Sequence, residues 1–198
     1  MRRPNGPELD RDRLIAAAFA VLEQEGLDGL SMRRLATQLG VQAPALYWHV
    51  DDKAALLGMM ARDIYAAAYA ACPGSRDWRA WLRQFGGALR AQFAAYRDGA
   101  RLCALATPAA GADPERQATY IAAPLVALGL DRPAALAFQA VVISYALGWS
   151  MFEANGPMHD FLDRMMPFDE SFTIGLEAIV GGLALSGADP ARAGPALG

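Results

Sequence analysis

Cysteine, histidine and lysine are all scarce in this chain, and each shortage removes a class of chemistry. Cys72 and Cys103 are its two cysteines, too few for a disulfide framework and without partner ligands at zinc spacing. The two histidines stand far apart, as His49 and His159, and no acid, base and nucleophile share a recognisable spacing. No catalytic residue, metal or other cofactor is therefore assigned, and an enzyme is not expected. Lysine occurs once, as Lys53; the remaining 17 of the 18 basic side chains are arginines. Net charge is small too, at −3, and the first 50 residues balance six basic against six acidic side chains. Any attraction to a polyanion has to be local rather than global. Long hydrophobic runs are missing as well. Met1 to Asp12 is polar, and the longest apolar stretches are interrupted short of a membrane span. A cytoplasmic protein without a membrane partner is the expectation.

Against these absences stands an apolar fraction of 54%, in which alanine and leucine dominate over the β-branched residues. That composition favours helices throughout, so the fold class expected is all-α. Residues 1–9, with two prolines and a glycine, read as a disordered arm. Leu14, Ile15, Ala18, Phe19 and Leu22 form one stripe of a first helix that begins at Asp10 or Arg11 and closes at Gly26. A helix from about Lys53 to Ala71, capped by Asp51 or Asp52, carries Leu56, Leu57, Met60 and Ile64 inward. Further helices are expected over 78–95, in a short piece ended by Pro108, and over about 114–129, 132–154 and 169–186. Segment 155–168 reads as a linker with at most a short helix around Met158 to Met165, and the tail from Gly187 as loose.

The stretch from Ser31 to Lys53, SMRRLATQLGVQAPALYWHVDDK, carries most of the functional signal. Ser31 can cap a short helix whose Leu35, Ala36 and Leu39 share one face, and Gly40 can end it. Pro44 suits the first turn of a second helix, where Leu46 and Val50 should face inward. Ala43, Ala45, Tyr47 and His49 are then left on exposed or edge positions. Tyr47, Trp48 and His49 are consecutive, so their three rings cannot all be buried on one helix face. Arg33 and Arg34 occupy the first turn of the preceding helix, where the helix dipole disfavours cations unless a phosphate or carboxylate waits there. Two short helices, a glycine turn and a wet outer face describe a helix-turn-helix, whose second helix would enter a major groove.

The run LATQLGVQAPALYWHVDDKAALL resembles the DNA-binding region of the TetR family of bacterial transcriptional repressors, and within it the tetracycline repressor-like branch, through LGV, P-x-LYWHV and K-x-ALL. The resemblance implies contacts to the DNA backbone from Arg33, Tyr47, His49 and Lys53, with Trp48 in the same interface. The glutamine and threonine that help this branch read its operator become Ala43 and Ala45, while Pro44 is kept. Methyl groups can meet thymine methyls but cannot make the bidentate bonds of glutamine to adenine. Gln42 is the nearest polar candidate for base reading, and Arg33 can reach a guanine.

A looser resemblance covers the second half, through YRDGAR, LGWSMFE and IGLEAIVGGL, and implies a four-helix dimer interface from the 132–154 helix and the last one. In this branch a histidine holds a Mg²⁺–tetracycline complex. Its place is taken here by Cys103, the threonine and arginine after it fall on Ala106 and Thr107, and a second histidine falls on Tyr145. Glu153 matches the acidic residue. The divergent pocket expected from Phe85, Leu89, Leu102, Cys103, Ala106, Tyr145, Trp149, Phe152 and Glu153 suits a small apolar or aromatic effector without a metal. Glu153 would be its isolated charge, needing a donor from the ligand or from Tyr145.

The expected organisation is a helix-turn-helix DNA-binding domain over 10–52 joined to a ligand-binding and dimerisation domain over 53–187. The expected partners are a palindromic DNA operator, a second copy of the chain and a small-molecule effector that releases the DNA. The alternative is a helical dimerisation or small-molecule-binding protein without DNA binding, which leaves Tyr47, Trp48 and His49 unexplained.

Overall fold

Carboxylates start most of the helices. Asp10, Asp52, Asp77 and Asp131 each accept the backbone N–H three residues on, at 2.7–2.9 Å, satisfying donors that the first helical turn leaves without partners. A computed structural model describes residues 9–184, so most of the expected N-terminal arm and the tail from Gly187 lie outside the described residues. Within that range the chain is all-α, with ten helices: α1 (Arg11–Gly29), α2 (Met32–Leu39), α3 (Ala43–Leu46), α4 (Lys53–Ala70), α5 (Trp78–Ala94), α6 (Gly99–Leu105), α7 (Pro114–Ala127), α8 (Arg132–Glu153), α9 (Gly156–Asp163) and α10 (Phe168–Gly182).

Helix α1 packs on both α2 and α4, and α2 packs on α3. Leu14, Ala18 and Leu22 of α1, Leu35 and Leu39 of α2, and Leu46 of α3 close a small core there. The larger bundle is built around α5, which packs on α4, α8 and α10 and buries Trp81, Leu82, Phe85, Leu89 and Phe93. Helix α8 lies against α5 and α7, with Ala135, Phe138, Val142 and Ala146 inward. By length and composition α8 is apolar enough to cross a membrane, which corrects the expectation that no stretch is. One face of it packs on α5 and α7, and 33% of its most apolar window is buried, so packing within the single chain covers only part of its apolar surface.

Two boundaries differ from the sequence expectation. Helix α9 spans Gly156–Asp163, two residues earlier than the short helix expected around Met158 to Met165, because Asn155 caps it at Met158 N and Pro157 sits in its first turn. Proline there begins a helix rather than breaking one. Helix α10 ends at Gly182, four residues earlier than expected.

Candidate functional site

The helix-turn-helix forms for local reasons. Ser31 Oγ accepts the Arg34 N–H at 3.3 Å. Gly40 ends α2 in the left-handed region (φ 68°, ψ 29°), and its N–H and that of Val41 return to Thr37 and Ala36 carbonyls at 3.1 and 3.0 Å. Helix α3 is one turn long, with Pro44 near its start and Gln42 as an N-cap whose side chain makes no capping bond. The chain then continues as a turn, His49 and Val50 N–H both bonding the Leu46 carbonyl.

Leu46 and Val50 are buried, which forces the intervening rings outward: Tyr47 is 53% exposed and Trp48 89%. His49, Gln42, Pro44 and Arg33 are exposed as well, and Ala43 and Ala45 are half-buried beside them. So large an aromatic left in water marks a contact surface more readily than a fold requirement. The two first-turn arginines part company. Arg34 turns back to the Gly29 carbonyl at 2.8 Å and Glu25 at 3.3 Å, whereas Arg33 has no ion pair among the described residues. Lys53 is half-buried and its Nζ donates to the Leu27 carbonyl at 3.1 Å, on the seam between α1 and α4.

Eight of the nine residues expected to line a pocket separate into three groups, with Glu153 apart from them. Phe85, Leu89 and Leu102 are fully buried core side chains, and Cys103 is buried beside them. Burial pushes the Cys103 thiol from an ordinary 9.0 up to about 12, so it is protonated at physiological pH in the chain without a ligand. Ala106, Tyr145 and Trp149 are half-buried, with the Tyr145 ring stacked on Phe172 at 5.2 Å. Phe152 is half exposed and lies on the outside of α8.

Glu153 is not the isolated charge that the sequence suggests. The Arg90 guanidinium of α5 donates to both its carboxylate oxygens, Nε at 3.0 and 3.2 Å, and also pairs with Asp169 of α10. Arg90 also lies over the Phe172 ring, 4.7 Å from its centroid. Tyr145 is not the donor to Glu153 either; its hydroxyl donates to the Phe172 carbonyl at 2.9 Å. A groove of about 570 Å³ between α5 and α10 contains Glu153, and its walls combine two ion pairs, Arg90 with Glu153 and Arg83 with Glu177 at 2.6 Å, with the apolar Ala91, Ala94, Phe172 and Leu176.

Aromatic surface is concentrated elsewhere, in a layer that the sequence reading passed over. Tyr69 of α4 stacks on Phe85 at 4.7 Å and meets Trp81 and Tyr120 edgewise or tilted. Its hydroxyl donates at 2.8 Å to the fully buried Gln139, whose amide nitrogen donates to the Ile121 carbonyl. Burial raises both the Tyr69 and the neighbouring Tyr65 phenols, the latter to about 12. The polar groups are satisfied by one another, so this layer is apolar in character with a few fixed hydrogen bonds.

The sequence model of bacterial regulatory proteins of the tetR family matches residues 14–60, which is the α1–α4 segment just described. The class C tetracycline repressor of Escherichia coli is 41% identical over 105 residues, 52% of this chain and 48% of its own, so the chain spans about half the length of that curated relative. Among solved structures, a TetR variant from Acinetobacter baumannii in complex with minocycline is 32% identical with a TM-score of 0.72, covering 88% of this chain and 96% of its own. Mycobacterium smegmatis BioQ is nearly as similar, 30% identical with a TM-score of 0.70, covering 88% and 97%. The likeness therefore runs through both the reading helices and the bundle, and it is shared by more than one branch of the family. On the fold, the exposed second helix and these matches together, the chain belongs to the TetR family of transcriptional regulators.

Proposed function

We propose that the chain is a cytoplasmic, ligand-responsive repressor that binds a palindromic operator as a homodimer and is released by a small apolar or aromatic effector. The observation that carries this reading is the outer face of α3 and the turn after it. Tyr47, Trp48 and His49 are held in water by the buried Leu46 and Val50, next to Arg33, which has no ion pair among the described residues. An aromatic and cationic face of this shape suits a major groove, with Tyr47, His49, Arg33 and Lys53 on phosphates and Gln42 reading a base edge. Lys53 would leave the Leu27 carbonyl to do so, exchanging a neutral acceptor for an anionic one. The DNA-binding unit is 10–52 and the ligand-binding and dimerisation unit 53–187, the end of the latter lying outside the described residues.

Two copies would meet through the outer faces of α8 and α10. Val141, Met151 and Phe152 on one and Ile174 on the other are large apolar side chains left exposed in the single chain. The effector reading rests on the aromatic layer around Tyr69, Phe85 and Trp81 and on the buried Leu102 and Cys103 beyond it. These side chains are closely packed, so a ligand enters only a state in which α4, α5 and α6 have parted. A ligand that binds this opened state alone shifts the population toward it, about tenfold for each 1.4 kcal/mol of preference. The opened state then holds the two reading helices at a spacing that no longer fits successive grooves. The Arg90 cover on Glu153 argues against an obligatory metal.

One experiment tests both halves. Preferred sites are selected from random DNA, and the selected duplex is challenged with apolar metabolites and with tetracyclines, each with and without chelator. Two-fold symmetric sites and chelator-independent release are expected. A minocycline-bound relative favours the second reading, a metal–tetracycline effector. Release by tetracyclines that chelator abolishes would establish it over the apolar effector.

A further inference from the structure

Gly26 breaks α1 (φ 68°, ψ 176°), so the last helical residues before it and the first after it are left with unpaired backbone groups. The partners come from one short segment seventy residues away, between α5 and α6. Asp98 Oδ2 accepts the Leu27 N–H at 2.8 Å. The Arg97 guanidinium donates to the Glu23 and Gln24 carbonyls at 3.1 and 3.0 Å. Arg101 grips the Asp28 carboxylate with two nitrogens, at 2.8 and 2.7 Å, and the Tyr96 ring stacks on Phe19 at 4.3 Å.

The segment is shaped for this grip. Asp98 adopts the left-handed conformation (φ 56°, ψ 21°), the one non-glycine residue to do so among those described, and a Cβ at Gly99 would overlap the Phe93 carbonyl. It runs directly into α6, where Leu102 and Cys103 are buried. On the other side of the helix-turn-helix the chain continues as α4. The helix-turn-helix is held on that side by the packing of α1 on α4, and the strap adds an anchor to the segment that leads into α6. The Arg101–Asp28 pair is exposed and adds little stability of its own, so its role is geometric.

We propose that Tyr96–Arg101 is a strap that fixes the angle of the helix-turn-helix against the bundle, with Asp98 its central positioning residue. This rests on the reading of the chain as an effector-released DNA-binding protein. Movement of α6 then reaches α3 through α1, in parallel with the route along α4.

Asp98→Gly removes the acceptor and the left-handed strain together, so the fold is retained while the bond is lost. Asp98→Asn keeps both an acceptor oxygen and tolerance of the left-handed region. On the duplex selected by the unaltered protein, Asp98→Gly should bind about tenfold more weakly, within the range of typical coupling between sites. In fresh selection it should accept a broader range of half-site spacings, and Asp98→Asn should restore both properties. Unchanged affinity and spacing in Asp98→Gly would overturn the strap, as would a loss that tracks lowered stability and is not rescued by Asp98→Asn. If the unaltered protein selects no site, the DNA-binding reading fails, and the strap is still read by distance. Spin labels at Gln38→Cys and Arg116→Cys, in chains diluted into unlabelled protein, should give one narrow distance distribution that Asp98→Gly broadens. An unbroadened distribution would refute the proposal.

Discussion

Tyr47 is exposed and holds no core contact of consequence, so its replacement separates DNA binding from folding. Tyr47→Ala should leave thermal stability almost unchanged, as surface substitutions do within about 0.5 kcal/mol, and should weaken binding to selected and random duplex by the same factor. Arg33→Ala should lower the salt slope of binding by about one; a loss confined to the selected site would instead make Arg33 a base reader. Arg90 poses the opposite case. It is 18% exposed and joins α5 to Glu153 and Asp169, so Arg90→Ala strands the partly buried Glu153 carboxylate and should cost about 1–3 kcal/mol in chemical denaturation. Arg90→Leu combined with Glu153→Leu should recover part of that loss. Three further residues set an alkaline limit. Burial raises Cys103 to about 12, Cys72 from 9.0 to about 11 and Tyr65 from 10.0 to about 12. The native state keeps these protons after the unfolded chain has lost them, so their stabilisation is complete below about pH 9 and is lost as pH rises through the raised values. Denaturation midpoints should fall from about pH 9 upward, and a flat profile to about pH 11 would contradict the burial of these groups.

At the scale of elements, local signals read well and distant ones did not. Ser31, Gly40 and Pro44 act on their own neighbours, and the two short helices came out where those residues place them. Leu46 and Val50 four apart were enough to infer that Tyr47, Trp48 and His49 face outward. The Gly156–Pro157 pair hid where the short helix starts, because the same residues that interrupt a helix also open one, and Asn155 in front of them decides which. Glu153 misled for another reason. Its partner Arg90 is 63 residues away on another helix, beyond any spacing rule along one helix. YRDGAR likewise looked like part of a ligand-binding half, yet four of its residues hold the end of α1. The aromatic layer escaped notice because Tyr69, Trp81 and Tyr120 lie on three helices and meet only in the packed bundle. The outer face of α8 and α10 gives a test at this same scale: Ile174→Asp should convert a dimer to monomer at micromolar concentration while leaving helix content intact. A dimer that survives the charge would place the interface elsewhere.

For the whole molecule, the exposed α3 face, the apolar outer surface of α8 and α10, and the strap at the end of α1 describe parts of one device only if two chains act together on one duplex. A monomer would place a single α3 in a single groove, and the relative spacing of two reading helices could carry no signal. The most direct measurement is sedimentation of the protein with a duplex selected from random DNA, at protein in excess over duplex. The expected species contains two chains per duplex, adding twice the 21.1 kDa chain mass to that of the DNA, and it dissociates to free duplex and dimer when the effector is added. A complex of one chain per duplex, or no complex on any selected DNA, would contradict it.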